Sequence, residues 1–324
     1  MKKIMVIATG GTIAGSGNMG ESAKYKAGTI NVEEIVRSIP QLEQLAHVEM
    51  IQLCNVDSND VGFVQWKQLR AYCEQFDADD SIDGIVITHG TDTLEETAFF
   101  LNLTLNCHKP IVLTGSMRPA TSTSADGPMN LFQAVSLACS EEAYDKGVLA
   151  VFSDTIYSGR DLQKTNSYKT DAFKMGEFGS LGYMRDWEVH LLNEPHKKHT
   201  HQTQFSKLKI EKLPKVSIYY VHSDCDPKLL EYMLKTNEGV VIAGTGAGNY
   251  PSSIQSVIEA HPDSLIVRSS RVLEGAVFPS AVFDPLDRTI PALKFSCQKA
   301  RILLQLSCLV TKDKECIKKI FLTY

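Results

Sequence analysis

The sequence predicts an α/β protein: a large N-terminal domain on a doubly wound, mainly parallel sheet, and a smaller C-terminal α/β domain. Three observations carry this. Apolar runs without polar alternation, such as Ile4–Ala8, Gly84–Thr88 and Pro110–Thr114, read as strands buried on both faces. Helical patterns separate these runs, as the crossovers of a parallel sheet require. A polar, basic stretch from Leu191 to Pro214 then interrupts the alternation before it resumes. We therefore expect an N-terminal α/β domain at 1–192, a linker at 193–213 and a C-terminal α/β domain at 214–324.

The elements follow in order. The first strand ends at Gly10-Gly11, which permit backbone angles closed to other residues, and Thr12 follows directly. Ser16 to Ser22 is small and polar, a loop that leads to Tyr25. Val32–Ile39 reads as a helix stopped by Pro40, and Val48–Leu53 as the second strand. The cluster Asn55–Asp60 offers N-caps, through Asp57, Ser58 or Asp60, for a helix over Gln65–Phe76. After the strand Gly84–Thr88, Thr93 and Glu96 fit a capping box for a helix running to Leu105. The strand Pro110–Thr114 leads through Gly115–Pro119 to a helix from Asp126 that carries Met129, Leu131, Phe132, Val135 and Leu137 towards the sheet. Gly147–Phe152 is the fifth strand, and Thr155–Asp161 an antiparallel extension. The second unit has strands at Val216–Val221, Gly239–Ala243 and Leu265–Arg268. Its helices lie at Pro227–Leu234, Ser252–His261, Cys297–Leu309 and Asp313–Phe321.

Composition excludes several classes. A net charge of -5 without a long Lys/Arg run argues against a nucleic-acid partner. No apolar stretch reaches the ~18 residues of a membrane span, and Lys2-Lys3 with its short apolar run makes a poor signal peptide. Eight cysteines without a C-x-x-C pair read as free thiols of a cytoplasmic protein. His196, His199 and His201 lie in the linker with no helix or carboxylate to organise them, so we expect no metal and a solvated segment there.

Thr12 stands where open α/β sheets place ligands, at the carboxyl end of a central strand. Gly-Gly-Thr admits three readings: a tight turn with a cap, a phosphate loop, or a nucleophile. The phosphate loop fails, because neither G-x-G-x-x-G nor Gly-Lys-Ser/Thr is present. A nucleophilic Thr needs activation from elsewhere. Thr91 and Asp92 lie on the turn after Gly84–Thr88, and Lys164 becomes a candidate base only if folding sets it beside them. His89 reads as a structural hydrogen-bonder. Gly244–Asn249 is a further Gly-rich turn whose spacing does not match a nucleotide fingerprint.

These motifs together resemble the bacterial-type L-asparaginase family. Its two signatures match A-T-G-G-T-I-A-G at Ala8–Gly15 and I-T-H-G-T-D-T-x-E-E-T-A at Ile87–Ala98. Agreement continues at Met117–Pro119, Ser124–Pro128, Gly159–Asp161, Lys164–Asn166, Arg268–Arg271 and Gln298–Arg301, so the resemblance covers essentially the whole chain. It implies an enzyme that hydrolyses L-asparagine to L-aspartate and ammonia without a cofactor, with weaker glutaminase activity. The resemblance makes Thr12 the nucleophile and Tyr25 the tyrosine of its loop. It makes Thr91, Asp92 and Lys164 the second catalytic cluster, Ser58 the holder of the substrate α-carboxylate, and Asp92 the anchor of its α-ammonium. The backbone N–H groups of Thr12 and Thr91 would form an oxyanion hole. It further implies a homotetramer of close dimers, with Asn249 reaching the neighbouring subunit's site.

Asn59 and Ser116 are expected to bind substrate with Ser58, Thr91, Asp92 and Asn249, yet three positions depart from the pattern. Asn59 replaces a common Gln, Ser116 a common Ala, and Val282 a Glu that contacts the ammonium from the partner subunit. The rival readings are a dual asparaginase-glutaminase, an ammonia-releasing amidotransferase subunit, a nucleotide-binding redox protein and a catalytically inactive amino-acid sensor. The missing dinucleotide fingerprint disfavours the redox protein. The lack of a large N-terminal extension or basic face disfavours the amidotransferase. Intact Thr12, Thr91, Asp92 and Lys164 disfavour the sensor.

Overall fold

The computed structural model describes residues 1–21, 25–26 and 31–324. The chain forms two compact units, Met1–Lys209 and Ile210–Tyr324. In the first, β1 (Lys2–Gly10) is followed by the short pair β2 (Ser16–Gly17) and β3 (Tyr25–Lys26), α1 (Val32–Arg37), α2 (Leu42–Leu45) and β4 (Ala46–Val56). Next come α3 (Phe63–Asp77), β5 (Gly84–Thr88), α4 (Leu94–Thr104), β6 (Ile111–Thr114), α5 (Gly127–Cys139), β7 (Val148–Phe152) and β8 (Thr155–Ser158). The small ribbon β9 (Gln163–Lys164) and β10 (Phe173–Lys174) precedes β11 (Gly182–Arg185) and β12 (Glu188–Leu191).

One eight-stranded sheet runs in the order β12-β11-β8-β7-β6-β5-β1-β4. Its five strands β4, β1, β5, β6 and β7 are parallel. The remaining three extend it antiparallel. The apolar runs explain this arrangement. Ile4 to Ala8 in β1, Ile85–Ile87 in β5, Ile111–Leu113 in β6 and Val148–Phe152 in β7 are all buried, which only helices on both faces can achieve. β4 is the edge strand and longer than the sequence suggested, half-exposed along most of its length.

The second unit adds β13 (Val216–Tyr220), α6 (Pro227–Thr236), β14 (Gly239–Gly244), α7 (Ser252–Ala260), β15 (Ile266–Ser270), β16 (Ile290–Pro291), α8 (Cys297–Val310) and α9 (Lys314–Thr323). Its four strands pair parallel in sequence order. Tyr219, Leu230, Leu234, Ile242, Ile254, Ile258 and Ile266 share its core.

Several local expectations are corrected. Thr93 makes no capping bond to its helix; its hydroxyl donates to the Ser58 carbonyl at 2.6 Å instead. Asp57 caps the 3-10 turn Ser58–Asp60 rather than α3, whose start is held by the Gln65 side chain accepting from the Gly62 N–H at 3.0 Å. On α5, Leu131, Val135 and Leu137 are buried, but Met129 is exposed and Phe132 only partly covered. The stretch expected to be solvated is packed onto the first unit. His199, Thr200, Thr203, Phe205 and Ser206 are buried, Thr203 Oγ1 donates to the Leu103 carbonyl at 2.5 Å, and Arg70 donates to the carbonyls of Ser206 and Leu208. The hydrophobic anchor is Phe205, which polar and basic neighbours disguise in the sequence.

Candidate active site

β1 lies between β4 and β5, so the chain leaves it to one side and returns on the other. Open α/β sheets form their ligand crevice at such a switch point, outside the strand carboxyl ends. Here those ends are Gly10–Thr12 and His89–Thr91.

Missing side chains hold the neighbouring turns together. Gly10 (φ 106) and Gly11 (φ 80) adopt left-handed angles where the register of β1 with β4 breaks between Ala8 and Gly10. A Cβ on Gly11 would lie 2.4 Å from the Gly90 Cα and nitrogen. One on Gly90 would lie 2.8 Å from Ser58 Cβ and 2.9 Å from Ser58 Oγ, and one on Gly115 would lie 2.2 Å from the His89 carbonyl oxygen. The turns after β1, β5 and β6 therefore stack backbone on backbone, and the Ser58 side chain of the turn after β4 packs on the Gly90 backbone. This gathers Ser58, Thr12 and Thr91 into one neighbourhood.

Thr12 opens a 3-10 turn, Thr12–Ala14, and is 7% exposed. Ser58 is buried beneath the same turn cluster. Below it, His89 is fully buried. Trp66 Nε1–H donates to Thr97 Oγ1 at 2.8 Å, which leaves the Thr97 hydroxyl hydrogen for His89 Nε2 at 2.9 Å. His89 Nδ1–H then donates to the Gly90 carbonyl at 2.7 Å. Burial pushes this imidazole down to about 4, so it is neutral and serves as a strut for the Gly90–Thr91 turn, as its position in the sequence suggested.

Folding also unites residues 73 positions apart. Lys164 Nζ donates to Thr91 Oγ1 at 2.8 Å and to Asp92 Oδ1 at 2.5 Å. Thr91 is buried, the Lys164 side chain is 15% exposed and that of Asp92 is 56% exposed, so the carboxylate opens outward. Lysine has no acceptor, so Thr91 Oγ1 accepts and its own hydrogen points elsewhere. The lysine is rigidly presented. Its strand β9 pairs with β10, where the Phe173 ring stacks on Phe152 at 4.5 Å and the Phe173 carbonyl accepts from the Tyr157 hydroxyl.

Glu95 completes this support. It is buried on the first turn of α4 and accepts the Lys164 backbone N–H at 2.7 Å. No local sequence pattern distinguishes Glu95 from its neighbour Glu96; only folding buries the first against the Lys164 strand.

Other candidates stand differently. Ser116 is fully buried and donates its hydroxyl to the Arg118 carbonyl at 2.8 Å, within a turn whose Met117 and Arg118 N–H groups both donate to Asp126. Asn59 is exposed and donates to Asp57 Oδ1 at 2.7 Å. Asn249, in the second unit, closes the Thr245–Asn249 turn through two backbone bonds, and its Oδ1 is buried with no partner among the described residues. Val282 is 79% exposed. The Tyr25 side chain, and Ser22 at the end of the polar loop, lie outside the described residues.

One set of metal-ligating side chains does meet among the described residues: His108, Asp145 and His201. The expectation that no carboxylate organises the linker histidines is thus overturned, because Asp145 approaches from a different loop. The set lies before the amino ends of β6 and β7, at the opposite edge of the sheet from the crevice.

Comparison with known proteins adds to this geometry. Residues 3–197 match the family model described as "Asparaginase, N-terminal", and residues 215–321 match "Glutaminase/Asparaginase C-terminal domain". The chain is 40% identical over 332 residues to "L-asparaginase 2" of Escherichia coli (strain K12), covering 100% of this chain and 94% of that one. It is 38% identical over 330 residues to "Glutaminase-asparaginase" of Acinetobacter glutaminasificans, covering 99% of each. Among solved structures it superposes on "Probable Cytoplasmic L-asparaginase from Campylobacter jejuni" with a TM-score of 0.95 and 40% identity, over 100% of both chains.

Proposed function

The chain belongs to the asparaginase family, and from that premise we propose that it hydrolyses L-asparagine to L-aspartate and ammonia with Thr12 as nucleophile. It is a hydrolase acting on a linear amide bond, with asparagine as its main substrate and some activity on glutamine. The single observation that carries the mechanism is the Lys164 ammonium bonded at once to Thr91 and Asp92, on a turn packed against that of Thr12.

Thr12 Oγ attacks the side-chain amide carbon, and its proton passes to the leaving nitrogen through the Thr91 hydroxyl, which takes one proton as it gives up its own while Lys164 Nζ holds it in place. Ammonia departs, leaving an ester on Thr12. Water then attacks the ester with help from the same pair, which frees aspartate and restores the hydroxyl. Asp92 grips the substrate α-ammonium. That places a second cation on the carboxylate already paired with Lys164. Ser58 holds the α-carboxylate, and the backbone N–H groups of Thr12 and Thr91 face the oxyanion. Contacts to both charged groups on the α-carbon fix that end of the ligand, so a short amino acid is selected whose side-chain amide reaches Thr12.

The test is ammonia release from asparagine by wild type, Thr12→Ala and Lys164→Met, with folding followed by circular dichroism. Both variants should fold and lose turnover. Near-normal turnover in Thr12→Ala would end the assignment.

We further propose a cytoplasmic homotetramer of close dimers, with Asn249 serving the neighbouring subunit's site. The exposed Val272, Leu273, Phe278, Val282 and Phe283 support association through the second unit. Eight free cysteines, four of them buried, support a reducing compartment.

A further inference from the structure

We infer that His108, Asp145 and His201 form a binding site for one divalent transition-metal ion, Zn2+ foremost, which clips the 3-10 turn Thr200–Gln202 to the loops before β6 and β7. The inference does not depend on the catalytic reading. At about 3.3 Å per residue, the lengths of β6 and β7 put the cluster roughly 15 Å from the crevice.

The spacing fits an ion. His201 Nδ1 lies 3.3 Å and His108 Nδ1 3.7 Å from the same oxygen, Asp145 Oδ1. Ligands at roughly 2.0–2.1 Å around a tetrahedral Zn2+ stand about 3.3–3.4 Å apart. All three ligand atoms lie within 4.8 Å of one another. The His108 and His201 rings stack at 3.9 Å and aim their in-plane lone pairs side by side, so His108, whose side chain is 49% exposed, swings out of the stack to close the third edge.

Two of the three ligand atoms also lack a hydrogen bond among the described residues. These are Asp145 Oδ1 and His201 Nδ1, both buried. Such atoms cost stability unless something satisfies them. The backbone is shaped to hold them. Asp145 takes φ 56 and Gly147 φ 72, and a Cβ on Gly147 would lie 2.9 Å from His199 Cγ. The glycine therefore lets buried His199 seat against this loop, and His199 fixes the approach of His201 two residues on. The Asp145 N–H donates to the His108 carbonyl at 2.8 Å, joining the other two ligands.

The surrounding charge permits a cation. Lys146 is paired with Glu194 at 2.7 Å, and the Asp77 carboxylate accepts the N–H groups of His108 and Lys109. Two imidazoles and one carboxylate suit Zn2+, Ni2+ or Cu2+ rather than Mg2+ or Ca2+, and water would complete the shell.

The experiment titrates the metal-free full chain with ZnCl2 by calorimetry, alongside His108→Ala, His201→Ala and Asp145→Asn. Asparagine tolerates the positive φ at 145, and His108 is exposed, so these variants keep the backbone. Binding of one ion per chain is expected, with a Tm raised by several degrees. Each variant should bind at least about tenfold more weakly. X-ray absorption should show only nitrogen and oxygen ligands, and asparagine turnover should be unchanged in the variants. No binding by wild type, undiminished affinity in a His108→Ala/His201→Ala double variant, or sulfur in the metal shell, as Cys316 would supply, would each overturn the proposal.

Discussion

Replacing Gly11 by alanine tests whether the turn contact assembles the site. Gly11 sits at φ 80, ψ -169, an angle pair essentially reserved for glycine, which costs another residue about 1–3 kcal/mol. The added Cβ would meet the Gly90 Cα and nitrogen at 2.4 Å, against roughly 3.5 Å for ordinary contact. Both partners are backbone, so no side chain can swing aside. The Gly10–Thr12 and His89–Thr91 turns must part by about 1 Å. A displacement of that size between reacting groups costs on the order of 100-fold in rate. Gly11→Ala should therefore lose about 100-fold in asparagine kcat/KM, measured by ammonia release, and about 2–4 kcal/mol in stability by denaturant titration. Gly62→Ala is the control, because a Cβ there meets nothing within 4 Å and its φ is extended; it should leave kcat/KM unchanged and cost only about 0.5–1 kcal/mol as the N-cap of α3. Wild-type kcat/KM in Gly11→Ala would refute the idea that this contact sets the distance between Thr12 and Thr91.

Three further outcomes follow from the same geometry. His89 is neutral when folded and protonates when unfolded, so its contribution to stability is full above about pH 6.5 and is lost as pH falls towards about 4. Thermal unfolding across this window should show a shallower acid slope in His89→Gln, and equal slopes would dismiss the strut as a source of acid sensitivity. Glu95→Gln keeps the shape but weakens the charge-assisted bond to the Lys164 N–H, and should lower kcat by about tenfold with KM little changed. An effect confined to KM would argue against Glu95 positioning the lysine. Glutamine should be turned over less efficiently than asparagine, since Asn59 is a methylene shorter than Gln and Val282 supplies no carboxylate. Matched kcat/KM values for the two amides would contradict this.

The sheet was legible because uninterrupted apolar runs have one stable use in a chain of this length, a strand covered on both faces. Gly10-Gly11 and Gly90 were legible as turns for a related reason, because glycine at a strand end marks angles or contacts closed to other residues. Those two signals locate the crevice without any knowledge of side chains. Lys164 was not legible from its own surroundings. Its meaning arises only where Phe173 docks on Phe152 and fixes the ribbon that carries it, a contact no local pattern encodes. The position of Asp145 relative to His201 is hidden in the same way, by 55 residues of intervening chain.

The misread caps show why local chemistry underdetermines a site. Thr93 and Asp57 both have the composition of helix caps, and both spend their oxygens elsewhere. Thr93 reaches across to the Ser58 carbonyl, while Asp57 braces the turn that presents Ser58. A cap is worth only about 1 kcal/mol, so a competing bond that secures a neighbouring turn readily outweighs it. At the switch point of a doubly wound sheet, four turns from distant segments must be held in register. Small polar residues there brace one turn against the next, and helix starts make do with less. Thr93→Val should accordingly leave α4 intact and instead loosen Ser58, raising the KM for asparagine. A loss of α4 helicity with KM unchanged would return Thr93 to the role of a cap.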